Sequence, residues 1–90
     1  MVTWDEPKHR SNLKDHGLDF LGCKSVLDSP VITQEADHLA YSEQRINLIG
    51  LLSGQVVHMT YTERGDDLHV ISLRKATKHE ARYYFSHIDP

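Results

Sequence analysis

The side chains best suited to chemistry lie in the second half of the chain: Glu63, Arg64, Arg74, Lys75, Glu80, Arg82 and Tyr83. A guanidinium keeps its charge near neutral pH and donates paired hydrogen bonds. Arg64 and Arg74 therefore suit a phosphodiester and the charge that grows on it during cleavage. An RNA strand brings its own nucleophile, the ribose 2′-hydroxyl, whose attack on the neighbouring phosphate needs a base, an acid and cations but no metal. Glu63 and His16 are the candidates for the base. Lys75 and Tyr83 are the candidates for protonating or polarising the leaving oxygen. From Arg74 to Arg82 the chain is locally basic, with Lys78 and Arg82 suited to further phosphate contacts and Glu80 as the only acid.

Each of these assignments has a structural rival. Arg64-Gly65 also reads as an exposed turn, Glu80 as the acid of a Thr77-x-x-Glu80 capping box, and Tyr83 with Phe85 as core. Charge runs are usually solvated faces, so spacing alone leaves the cluster undecided. The 7 histidines include no H-x(3–5)-H pair and no H-E-x-x-H, so neither a metal site nor a cofactor is expected. His9 and His16 read as a solvated or core-edge pair on one helix face, and His58 and His69 as sheet side chains. No G-x-S-x-G, Walker A or G-x-G-x-x-G stretch supports serine hydrolase, nucleotide triphosphatase or dinucleotide chemistry.

The elements that must position these groups follow from periodicity and turn residues. Val2 to Trp4 reads as a strand. Asp5 as N-cap, Pro7 in the first turn and Gly17 at the left-handed end delimit a helix over about Pro7 to His16, with Leu13 as its one strongly apolar residue. Asp19 caps a second helix in which Phe20, Cys23 and Leu27 recur at helical spacing, ended by Ser29-Pro30. Cys23 falls on its core face, where a buried inert thiol is expected rather than a nucleophile. Strands follow over Val31 to Glu35, Ile46 to Leu52, Val56 to Thr62 and Leu68 to Leu73, joined at Ser53-Gly54 and Arg64-Gly65-Asp66-Asp67. A last helix opens at the Thr77 capping box and carries Tyr83, Tyr84, Phe85 and Ile88. The order β-α-α-β-β-β-β-α predicts an α+β fold. Its antiparallel meander should carry the helices on one face, leave the other face partly open for a ligand, and gather the candidate cluster in one place.

Ninety residues, 39 % hydrophobic and 26 % charged, fit a single domain over residues 1–90 with one core between two layers. One cysteine excludes an internal disulfide and fits a reducing cytoplasm. The start of the chain has no apolar signal region and no run is long enough to span a bilayer, so neither secretion nor membrane insertion is expected. The net charge of −3 argues against indiscriminate RNA binding. Its distribution is polar in another sense: from Asp28 to Glu43 the chain carries Asp28, Glu35, Asp37 and Glu43 with no Lys or Arg, an acidic stretch that suits a basic protein partner.

Several stretches together resemble the BrnT family of type II toxins over nearly the whole chain. They are Trp4-Asp5, Asn12 with His16-Gly17 and Phe20, Ser29-Pro30, Ser42-Glu43-x-Arg45, Ile49-Gly50, Tyr61-Thr62-Glu63-Arg64-Gly65, Ile71-Ser72-x-Arg74-Lys75-Ala76, and Glu80 with Tyr83. The resemblance implies a RelE-like fold, RNA cleavage that arrests translation and growth, and a hetero-oligomer with a BrnA-like antitoxin that itself binds promoter DNA. Carried over by position, it implies an active site drawn from His16, Glu63, Arg64, Arg74, Lys75, Glu80 and Tyr83, with Arg74 foremost. Asp15 departs from the family, where a basic residue commonly precedes His16-Gly17. Two other readings remain: a binding module without catalysis that engages an antitoxin or another protein, and a metal-dependent hydrolase that uses the histidines.

Overall fold

The computed structural model describes residues 1–35 and 43–88 of the chain. Its elements are β1 (Val2–Trp4), α1 (Glu6–His16), a 3-10 turn (Phe20–Gly22), α2 (Cys23–Leu27), β2 (Ile32–Glu35), β3 (Ile46–Leu52), β4 (Gln55–Arg64), β5 (Asp67–Lys75) and α3 (Lys78–Ile88). Helices and strands mix in an α+β arrangement around one five-stranded sheet of order β1-β5-β4-β3-β2.

Local chemistry accounts for most boundaries. Gly17 closes α1 in the left-handed conformation (φ 68°), its N–H donating to the Leu13 carbonyl at 2.9 Å. Asp19 caps the next turn through a 2.9 Å bond accepted from the Leu21 N–H. Asp5 stands at the N-cap position of α1, but its side chain makes no cap bond. Ser53 and Gly54 both have positive φ (52° and 80°), the requirement of a two-residue hairpin between β3 and β4. The second helix is not continuous. Gly22 interrupts it, because a Cβ there would sit 2.9 Å from the Leu52 side chain, and glycine propagates a helix poorly.

Two expectations about the sheet need correction. It is not wholly antiparallel: β2, β3, β4 and β5 pair antiparallel, but β1 adds to the outer edge of β5 in parallel. Nor do all helices share one face. The main core joins Phe20, Cys23 and Val26 to Leu48, Val57, Met59, Tyr61, Val70 and Leu73, alternate residues on one side of the sheet. A bulge leaves Ile71 without a partner opposite Thr60 and Tyr61, so that Val70 and Leu73 both reach this core. The side chains of Asn47, Ile49, His58 and Thr60 take the intervening positions and face the other way. There α3 covers one end of the sheet through Tyr84, which is 1 % exposed and whose hydroxyl donates to the Pro30 carbonyl at 2.7 Å.

The apolar face of α1 is thin and partly exposed. Leu13 is 45 % exposed, so it does not anchor the helix. Polar groups do. Asn12 is buried, donates from Nδ2 to the Leu18 carbonyl (2.9 Å) and accepts the Leu73 N–H of β5 at Oδ1 (3.3 Å). His9 lies against Phe20 with ring centroids 5.4 Å apart, and its ring nitrogens meet Glu6 Oε1 (3.2 Å) and Asp19 Oδ1 (2.5 Å). These carboxylates, Glu6 first, raise the His9 pKa against the opposing effect of burial. At the end of α2 the Ser29 hydroxyl donates to the Val26 carbonyl (2.6 Å) and accepts the Leu51 N–H (3.0 Å). It lies beside Gly50, where a Cβ would come within 2.9 Å of Val26.

Asn12 is therefore a hinge pin between α1 and the sheet. Asn12→Ala leaves a buried carbonyl and a buried N–H without partners, and is expected to cost about 2–4 kcal/mol in urea unfolding. A loss below about 0.5 kcal/mol would show that this link carries none of the stability expected of a buried bond.

Candidate functional site

Arg74 lies near the end of β5 directly opposite His58 of β4. Its guanidinium grips the Glu80 carboxylate with two bonds, Nη1 to Oε1 at 2.8 Å and Nη2 to Oε2 at 3.0 Å, while Nη1 also donates to the Lys75 carbonyl at 3.2 Å. Glu80 is at the same time the acid of the capping box. The Thr77 N–H donates to its Oε1 (2.9 Å) and its own N–H donates to Thr77 Oγ1 (3.1 Å). The capping and the functional reading of Glu80 are therefore compatible, since one carboxylate starts α3 and orients the arginine. The Arg74 bond, ahead of the Thr77 N–H and against desolvation, lowers the Glu80 pKa to about 2. The Arg74 pKa is raised in return. Guanidinium offers five N–H donors, so some remain on Arg74 for a phosphate.

Two hollows meet at this pair. On one side a shallow cleft of about 480 Å³ is lined by Asp15, His16, Arg74, Lys75 and Thr77. It brings a histidine from the end of α1 next to the two cations of β5. On the other side a groove of about 270 Å³ runs between α3 and the outer face of the sheet, lined by Gln34, Asn47, His58, His79, Glu80 and Tyr83, with Ile32 and Ile49 as its apolar floor. Tyr83 is 42 % exposed and stacks on His87 at 4.0 Å, and Phe85 is exposed as well. The core aromatic of α3 is Tyr84, which corrects the reading of Tyr83 and Phe85 as core. Lys78 and Arg82 are exposed on α3. A larger hollow of about 760 Å³ between β1 and α2 holds none of the candidate residues.

The single cluster expected from the sequence is divided. His16, Arg74, Lys75, Glu80 and Tyr83 gather at one end of the sheet. Glu63 and Arg64 stand at the other, because β4 and β5 form a hairpin. Residues just before its turn meet residues just after it, and Arg64 pairs with Asp67 while Arg74 pairs with His58. At about 3.3 Å per residue, Arg64 is roughly 20 Å along the strand from His58. Its surroundings are acidic. Glu43 binds it through Nη2 at 2.7 Å and Nε at 3.3 Å, and Glu35, Glu43 and Glu63 line the adjoining hollow. Arg64 in turn lowers the Glu43 pKa. Of the acidic stretch expected to meet a basic partner, Asp37 lies outside the described residues, as does Ser42.

His58, expected only as a sheet side chain, is one, and it also stands opposite Arg74 and lines the groove beside Glu80. It is half-buried, with a buried Nδ1 that makes no hydrogen bond among the described residues, and burial, followed by the Arg74 charge, lowers its pKa. No spacing rule finds it, because its neighbours come from the next strand and from α3. Cys23 is fully buried, and burial, then the Asp19 charge, pushes its thiol up to about 12. Among the described residues no three His, Cys, Asp or Glu side chains converge.

The model of the family described as a ribonuclease toxin, BrnT, of type II toxin-antitoxin systems matches residues 4–80. That span includes His16, Arg74, Lys75 and Glu80 and stops short of Arg82 and Tyr83. No curated protein matches the chain.

The Arg74 to Glu80 pair has a definite acid signature. The folded pKa of Glu80, about 2, lies below its unfolded value. Its contribution is therefore present above the unfolded pKa and is lost as pH falls through the folded one. After discounting for solvent screening, Glu80→Gln is expected to cost about 1–2 kcal/mol at pH 7. The difference from the parent should shrink as pH is lowered from about 4 to about 2. Unfolding curves at a series of pH values test this, and a difference that does not change with pH would overturn it.

Proposed function

The chain belongs to the BrnT family of ribonuclease toxins of type II toxin-antitoxin systems, and from that premise we propose that it cleaves RNA without a metal, by attack of the ribose 2′-hydroxyl, and so arrests translation and growth. The observation that carries the mechanism is the cleft in which His16 shares a wall with Arg74 and Lys75. His16 takes the 2′-hydroxyl proton. The 2′-oxygen bonds to phosphorus as the bond from phosphorus to the 5′-oxygen breaks, and the leaving oxygen receives a proton from Lys75, since Tyr83 lines the groove on the other side of the Arg74 and Glu80 pair. The products are a 2′,3′-cyclic phosphate and a 5′-hydroxyl. Arg74, held flat by Glu80, meets the charge that grows on the phosphate oxygens without having to reorganise as it forms.

In this reading Glu63 is not the base for that phosphate, since it stands at the far end of β4. Arg64, bound by Glu43 at the other end of the hairpin, has no part in that cleft. Lys78 and Arg82 contribute phosphate contacts from α3. The family implies an antitoxin partner. We assign it to the BrnA-like class, with DNA engaged only through the antitoxin, and regard the chain as one RelE-like domain over residues 1–90 acting in the cytoplasm. No helix among the described residues is long and apolar enough to cross a membrane.

One observation favours the second reading, a binding module without catalysis: the two-bond grip of Glu80 already occupies much of Arg74. Cleavage of a mixed-sequence RNA in chelator, with the new ends identified, separates the two. The parent chain is expected to leave 2′,3′-cyclic ends, and Arg74→Ala to cut at least about 100-fold more slowly. Arg64→Ala should change the rate by less than about 10-fold. Equal cleavage by Arg74→Ala would remove its role, and intact RNA with tight antitoxin binding would establish the binding module.

A further inference from the structure

We propose that the groove between α3 and the outer face of β2, β3 and β4 is a subsite for one unpaired nucleobase of the RNA whose phosphate sits at Arg74. The proposal rests on the ribonuclease reading above and adds to it a determinant of where the strand is cut.

Size, chemistry and position each point this way. A volume of about 270 Å³ falls below the roughly 300–1,000 Å³ of sites for drug-sized ligands, so the groove suits one flat ring rather than a folded peptide segment. Its floor is apolar at Ile32 and Ile49. Among its polar groups, which include His58, His79 and Glu80, are two amides, Gln34 and Asn47, which face each other across β2 and β3 in register. The Asn47 amide is fixed by a 2.9 Å bond from the Thr60 hydroxyl, so it is set in place before any ligand arrives. Amides of this kind read base edges and pair bidentately with adenine. Tyr83 closes the groove from α3. Exposed aromatic rings are the usual platform on which unpaired bases stack, and here the ring is already backed by His87 at 4.0 Å.

Charge separates the base from the phosphate. The carboxylate that lines the groove, Glu80, is a poor neighbour for a phosphate, whereas the cleft on the other side of the same pair carries Arg74 and Lys75. A nucleotide straddling the pair places its phosphate in the cleft and its base in the groove. Side chains of β2, β3 and α3 thus act on a reaction centred at the end of β5.

The test is a titration of the purified, isotope-labelled chain with each of the four nucleoside 3′-monophosphates, followed by backbone amide shifts. One nucleotide is expected to bind at least about five-fold more tightly than the others, with shifts at Gln34, Asn47 and His58. Gln34→Ala, at an exposed strand position, and Asn47→Ala should each erase that preference. Asn47→Asp keeps the acceptor for Thr60 and should change which base is preferred, a second readout if Asn47→Ala folds poorly. Equal affinities for all four, or a preference that survives both alanine variants, would overturn the subsite. Mapping cut sites on a mixed-sequence RNA keeps the two readings apart. Cleavage without base preference removes the subsite and leaves the ribonuclease, whereas selective nucleotide binding without cleavage keeps the subsite and removes the ribonuclease.

Discussion

A single carboxylate, that of Glu80, ties together the parts on which the candidate site depends. It caps the first turn of α3, accepts both bonds of Arg74, and thereby fixes where the helix leaves β5. This exit and the buried Tyr84, bonded to the Pro30 carbonyl, together place α3 on the outer face of the sheet and so shape the groove. An arginine held by two bonds in one plane also presents its remaining donors in one direction, which a lysine at the same position would not do. The dual use explains why a capping acid and a candidate site residue coincide in one position.

A second constraint is the hairpin of β4 and β5. Its register dictates that residues at equal distance from the turn are neighbours, so the charged pair Glu63-Arg64 before the turn and the pair Arg74-Lys75, 11 residues later, cannot meet. Their electrostatic settings diverge accordingly. The Arg64 end is surrounded by Glu35, Glu43 and Glu63, while the Arg74 end has Lys75 and His16 beside it and Lys78 and Arg82 on the adjoining helix. Although the chain is net acidic, carboxylates predominate around Arg64 and cations around Arg74, where Asp15 and Glu80 are the acids, so a net charge of −3 says little about what either end attracts.

Many positions of the family motifs turn out to hold the fold together. Asn12 joins α1 to β5, Ser29 stitches α2 to β3, Gly50 admits Val26 to close approach, and Phe20 forms the core under His9. These are the demands of a small domain in which α1 has almost no apolar face and is secured by the buried bonds of Asn12 and by the His9 imidazole between Glu6 and Asp19. The motif residues at the Arg74 end have no comparable packing duty apart from Glu80.

The sequence by itself determined the local structure, because its causes are local: strand alternation, the glycines and prolines at turns, the Asp19 cap and the Thr77-x-x-Glu80 box all act within a few residues. It also determined the family, through motifs spread along the chain. Only the tertiary structure decided which of the charged residues share a site. That depends on strand register, on a bulge at Ile71 that realigns β5, and on α3 packing on the face opposite α1 and α2, none of which leaves a periodic trace in the sequence. His58 shows the same limit, since its relation to Arg74 and Glu80 arises from contacts across 16 and 22 residues of chain. Where chemistry is assembled from several elements, spacing along the chain names the candidates, and pairing between strands decides which of them act together.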